Sequence, residues 1–126
     1  MAKKKANHKE SIVIYWSEED VCWIAHTLKT DQIGTGSRIV DALADVLKAL
    51  LMIHEEARKD RSLAVFRNAP KEIQDIAKTA KRLPMEIYDV AHKMVHGTWP
   101  HDWNPPEPKQ IKGRPFKAKI PDLACA

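Results

Sequence analysis

Apolar positions run unbroken from Ile12 to Trp16, β-branched or aromatic throughout, which predicts a strand. Ile12, Ile14 and Trp16 share one face and Val13 and Tyr15 the other. Ser17, Glu18, Glu19 and Asp20 then form a polar break of hairpin length. From Val21 to Thr27 the strand character resumes, with Cys22, Ile24 and His26 alternating with Val21, Trp23 and Ala25. Both faces carry apolar groups, so this reads as an interior strand with at least one face under a helix. A second polar break, Lys29 to Gln32, precedes a very short third strand, Ile33 to Thr35. Gly34 and Gly36 beside it predict a tight corner, because glycine tolerates the backbone angles a corner needs.

The period then changes. Ile39, Leu43, Val46, Leu47, Leu50, Ile53 and Ala57 recur at three- and four-residue steps, the stripe of a long amphipathic helix wide enough to cover a small sheet. Ser37 is its expected N-cap. Asp41 and Asp45 near its start and Arg58, Lys59 and Arg61 near or beyond its end favour the helix dipole. Ser62 to Arg67 reads as a returning strand. Asn68 is placed to cap a further helix with Pro70 in its first turn and Ile73, Ile76, Ala77 and Ala80 on its apolar face. Pro84 opens another, with Ile87, Val90, Ala91, Met94 and Val95 as its stripe and Gly97 as its terminator.

Beyond Gly97 the periodicity fades, and six of the chain's eight prolines fall there. That composition predicts an extended, flexible segment. The expected fold is therefore α+β: a small three- or four-stranded antiparallel sheet covered by one long helix, then two shorter helices and an extended tail. The divisions expected are a basic lead-in at 1–10, a βββαβ domain at 11–67, a helical extension at 68–97 and a Pro-rich tail at 98–126.

A chain of 126 residues suffices for one domain, and 44% hydrophobic residues for a real core. The net charge of +4 is concentrated at Lys3, Lys4 and Lys5 and between Lys109 and Lys119. Such an excess favours encounter with nucleic acid or an acidic partner. Lys3, Lys4, Lys5, Lys112, Arg114, Lys117 and Lys119 are the candidate nucleic-acid contacts. The two cysteines, Cys22 and Cys125, fit neither a disulfide framework nor a zinc site, which points to a reducing cytoplasm. The start of the chain has no apolar run after its lysines, so no signal peptide is expected, and the densest apolar stretch, Ala49 to Ile53, is too short to span a bilayer.

Candidate chemistry is sparse. His92 and His96 stand four apart and share a helix face, but no glutamate-bearing zinc motif surrounds them, and they read as a solvated helix end. His26 has no serine or cysteine nucleophile at a recognisable spacing and reads as a histidine packed at a sheet edge. Glu18, Glu19 and Asp20 read as a solvated turn rather than a divalent-ion site. The Gly34–Ser37 segment lacks a phosphate-loop lysine and reads as a corner. No catalytic residue, metal site or cofactor is expected. Trp16 and Trp23, at the rim of the sheet, and Trp99 and Trp103, among the prolines, are the expected partner-binding residues, since exposed tryptophans are enriched at interface hot spots.

Two segments carry a resemblance: the hairpin Trp16-Ser-Glu-Glu-Asp-Val-Cys-Trp-Ile-Ala25 and Ile33-Gly-Thr-Gly-Ser-Arg-Ile-Val-Asp-Ala-Leu43. Together, over about Ile12 to Glu56, they resemble the HicB-like antitoxin family, in which a glycine leads into a helix with a capped, acidic first turn followed by Ala-Leu. Gly36, Asp41, Ala42 and Leu43 fall on that pattern. Where the family often has a glycine in the hairpin, this chain has Asp20-Val21. The resemblance implies a partial ribonuclease-H-like fold without nuclease activity, which binds and masks a small basic ribonuclease toxin. It also implies a homo-oligomer and, in many members, autoregulatory DNA binding by a C-terminal unit. A helix-turn-helix at 68–97 is disfavoured, because Glu86 and Asp89 would face phosphates. The expectation is thus a non-catalytic, cytoplasmic antitoxin or related regulator. The alternative is a stand-alone nucleic-acid-binding protein using its basic termini, which would lose affinity steeply with salt.

Overall fold

The computed structural model describes residues 10–60, 62, 66–97 and 115–120. It is an α+β fold of five strands and three helices: β1 (Glu10–Ser17), β2 (Cys22–Thr27), β3 (Ile33–Gly36), α1 (Ile39–Lys59), α2 (Lys71–Lys78), β4 (Lys81–Arg82), α3 (Met85–Val95) and β5 (Phe116–Ile120). The sheet order is β3-β2-β1-β5-β4. The first four strands in that order pair antiparallel, and β4 joins β5 in parallel. The sheet is therefore one strand wider than expected, and mixed.

β1 lies at the centre, bonded on both sides, and the register fixes its faces. Ile12 opposes Thr27 and Ala118, and Ile14 opposes Ala25 and Phe116. This face lies under α1 and α3, where Ile39, Leu43, Val46, Leu47 and Leu50 meet Ile87, Val90 and Ala91 in the main core. Val13 points the other way, into a smaller cluster with Ala69, Ile73 and Ala77 at and beside α2. Helices thus cover both faces of the central strand, which is why Ile12 to Trp16 is apolar on both faces.

α1 follows its stripe only as far as Leu50. From Leu51 onward none of its residues is buried, and Ile53 and Ala57, expected in the stripe, are only half-covered. Its N-cap is Arg38 rather than Ser37, and no side chain caps it by hydrogen bonding. Instead the Arg38 guanidinium grips the Asp41 carboxylate at 2.8 and 2.9 Å, tying the first turn together. The glycine corner also has another cause than the one expected: neither Gly34 nor Gly36 has a positive φ. A Cβ at Gly34 would lie 2.3 Å from the backbone nitrogen of Val46, and one at Gly36 would lie 2.6 Å from that of Ala42. The glycines let the backbone of α1 lie directly on β3.

After α1 the chain departs from expectation in three places. Among the described residues of Ser62 to Arg67 there is no strand. Arg67 and Ala69 instead donate their backbone N–H groups to the Lys29 and Leu28 carbonyls, strapping the chain along the β2–β3 turn. α2 starts after Pro70, not at Asn68, and ends at Lys78, before β4. The third departure is the largest. Residues 116–120, expected in a flexible tail, form β5 and lie inside the sheet between β1 and β4. Phe116 and Ala118 are buried in the same core as Ile12, Ile14 and Trp23. The divisions expected at residues 67 and 97 therefore do not separate independent cores. α3 closes as anticipated, with Pro84 at its start and Gly97 at φ +71° just past its end. No helix among the described residues is long and apolar enough to cross a membrane.

Candidate partner-binding surfaces

The β1–β2 hairpin ends in a turn that projects charge. The Asp20 N–H donates to Ser17 Oγ at 3.1 Å, closing the turn and leaving Glu18, Glu19 and Asp20 exposed. Val21 completes it at φ +52°, with 71% of its surface exposed. A β-branched residue is strained in that region. Behind the turn Trp16, half-buried, meets Trp23 edge to face with ring centroids 5.6 Å apart. Trp23 itself is 1% exposed. Its expected place at the rim is corrected: it lies on the face that α1 covers and belongs to the core. Trp16 alone of this pair has surface to offer.

On the opposite face of the hairpin, Tyr15 is half-buried. Burial raises its phenol above the ordinary 10.0, and the charges of Asp20, Cys22 and Glu72 push it further the same way.

At the other side of the sheet the charge reverses. A cleft of about 400 Å³ opens where β4 meets β5, lined by Arg82, Lys117 and Lys119 over Leu83, Met85 and Ala118. Lys117 and Lys119, expected as nucleic-acid contacts in a loose tail, are instead fixed on a strand, with Arg82 opposite Lys117 in register. Lys3, Lys4, Lys5, Lys112, Arg114, Trp99 and Trp103 lie outside the described residues.

A third polar site was not anticipated. Glu10, assigned by sequence to the basic lead-in, is 2% exposed and begins β1. Its Oε1 accepts from the N–H groups of Ser11, Leu28 and Lys29 at 2.8, 3.2 and 2.9 Å. Its Oε2 accepts from the Lys29 N–H at 3.1 Å and the Thr30 hydroxyl at 2.8 Å. The carboxylate thus holds the β2–β3 turn from inside. Beyond it, His26 Nε2 meets Asp31 Oδ1 at 2.7 Å, and Arg67 reaches the other Asp31 oxygen at 3.7 Å. His26 is on an interior strand and 4% exposed, not at a sheet edge as expected, and its Nδ1 has no hydrogen-bond partner among the described residues. This cluster fixes a turn. The sequence clue to it is an acid immediately before an apolar strand, followed by Thr27, Thr30 and Asp31 in the facing turn.

Gly34 to Ser37 offers no phosphate loop, since the Thr35 N–H already donates to Asp45 at 2.9 Å and Gly36 packs on α1. The His92 and His96 rings lie 4.3 Å apart, tilted by 50°, on the exposed side of α3. Among the described residues no three histidine, cysteine or acidic side chains gather as metal ligands would. Comparison with protein-family models, with curated proteins and with solved structures gives no match to this chain.

Proposed function

We propose that this protein is a non-catalytic regulator of the HicB-like antitoxin kind, which holds and occludes a small basic ribonuclease. The observation that carries the reading is the hairpin end of the sheet. There Glu18, Glu19 and Asp20 stand exposed beside half-buried Trp16, on a hairpin anchored in the main core. Acidic groups of this kind steer a basic partner into register and raise the rate of encounter. An adjoining tryptophan supplies the apolar anchor on which affinity rests. A rigid platform also loses little entropy on binding. The antiparallel run β1–β2–β3 followed by α1 packed on it gives the reading further support, since the resemblance implies a helix laid across such strands.

Occlusion in this scheme is steric: the partner's catalytic surface is covered, and the regulator supplies no chemistry. Tagged protein purified from its native cells should carry a small basic protein in stoichiometric amount, identified by mass spectrometry. Adding back the purified regulator should suppress that partner's ribonuclease activity. Recovery of the chain alone, or of a partner whose activity is unaffected, would refute the proposal.

A further inference from the structure

Several cations elsewhere among the described residues sit in ion pairs, whereas those gathered at the β4–β5 cleft do not. Lys71 and Lys78 both reach Asp75, Arg38 reaches Asp41, Arg58 reaches Glu55 and Arg67 reaches Asp31. Arg82, Lys117 and Lys119, with Lys81 beside them, make no ion pair among the described residues. Like charges held this close repel one another, and a bound anion would relieve the repulsion.

Protection of a sheet edge is the plainest other reason for lysines here, since charge on an edge strand discourages pairing with another chain. It explains Lys81 and Arg82 on the outermost strand. It extends to Lys119, which has a partner only on β1, but it does not explain Lys117, which pairs with Val13 of β1 on one side and Arg82 of β4 on the other. Alternation along β5 sends Phe116 and Ala118 into the core, so Lys117 and Lys119 share the opposite face, with Val13 and Ser11 as their register partners. Side chains two apart on a strand stand about 7 Å from each other, and neighbouring strands about 5 Å. Arg82 and Lys119, both exposed, and half-buried Lys117 therefore stand as close neighbours along the cleft, at about the spacing of successive phosphates along an extended backbone.

We propose that this cleft binds the phosphodiester backbone of a nucleic acid without reading its sequence. The cations supply the contacts, and Arg82 adds a planar fork suited to phosphate. Among the described residues no aromatic or amide side chain lines the cleft, so none of them stacks on a base or reads a base edge. The chain's overall charge of +4 favours a polyanion over an acidic protein patch of mixed charge. This site lies across the sheet from the acidic hairpin and does not depend on the partner proposed there.

The test is binding of the full chain to fluorescent oligonucleotides of several unrelated sequences across a salt series. Affinity should be alike for all sequences, and its logarithm should fall with the logarithm of salt. Neutralising Arg82→Gln or Lys119→Gln, both exposed and so compatible with folding, should each reduce that slope by about 1. Lys71→Gln, on a lysine already paired with Asp75, should leave it unchanged. Equal slopes in the wild type and both cleft variants would overturn the proposal. So would polyglutamate binding as tightly as the oligonucleotides at the same ionic strength.

Discussion

Gly34 and the backbone of Val46 are in contact so close that no side chain fits between them: a Cβ on Gly34 would lie 2.3 Å from the Val46 nitrogen and 2.7 Å from the Ala42 carbonyl oxygen. Both obstacles are main chain of α1 and neither can swing aside. Gly34→Ala should therefore force α1 off β3 and destabilise the fold by about 3 kcal/mol, the upper end of the usual range for overpacking. Gly97→Ala is the companion measurement. No described residue lies within 4 Å of a Cβ there, so the strain of φ +71° is the cost expected, about 1 kcal/mol. Denaturant midpoints of the two variants separate crowding from backbone strain.

Val21 presents the opposite case. It holds φ +52° without a glycine's freedom and is 71% exposed, so its side chain contributes little packing. Val21→Gly should stabilise the protein by about 1 kcal/mol, the strain relieved less the entropy glycine adds to the unfolded chain. A lower melting temperature for that variant would mean that the valine packs against something in solution.

Glu10 holds three backbone N–H groups and the Thr30 hydroxyl in a buried site. Glu10→Gln keeps the shape but replaces one acceptor oxygen with a donor facing donors. A loss of about 2 kcal/mol is expected from the charge-assisted bonds forfeited. Hydrogen exchange should show faster opening at Leu28 and Lys29 in that variant, with little change at the far end of β1.

The two tyrosines, Tyr15 and Tyr88, are both raised above 10.0, mainly by burial. A phenol whose folded pKa exceeds its unfolded value contributes stability that is fully present below the unfolded pKa and lost as pH rises through the folded one. Stability should therefore be flat in this respect up to about pH 10, where unfolded tyrosine begins to ionise, and decline above it. Absorbance titration should show both phenols ionising above 10.0 in the folded protein. Asp20→Asn should lower the value for Tyr15 alone, because Asp20 is among the charges that raise it and does not act on Tyr88.

The sequence and the fold agree where one element carries its own period. α1 was legible because its apolar residues repeat at helical steps, and β1 and β2 because β-branched and aromatic residues follow one another. β5 was hidden by its flanks. Phe116, Ala118 and Ile120 alternate with Lys117 and Lys119 in a clean two-residue period, but Pro115 and Pro121 on either side read as tail. β4, two residues long, has no signature of its own and exists by pairing with β5. Trp23 was misplaced at the rim because a strand apolar on both faces does not say which face the helix will cover. Glu10 escaped because its partners, Leu28 to Thr30, come near only when β1 and β2 pair. Arg82 joins Lys117 and Lys119 for the same reason, across strands far apart in the chain.

The most direct test of the central claim is to reverse the hairpin charge. Glu18→Lys, Glu19→Lys and Asp20→Lys, introduced together at exposed positions, should leave the melting temperature nearly unchanged. Wild-type and reversed chains would then be captured from native cells and weighed by size-exclusion light scattering. The account predicts a complex with a small basic protein for the wild type and loss of that complex for the reversed chain. A complex of the same stoichiometry and stability in both would contradict it.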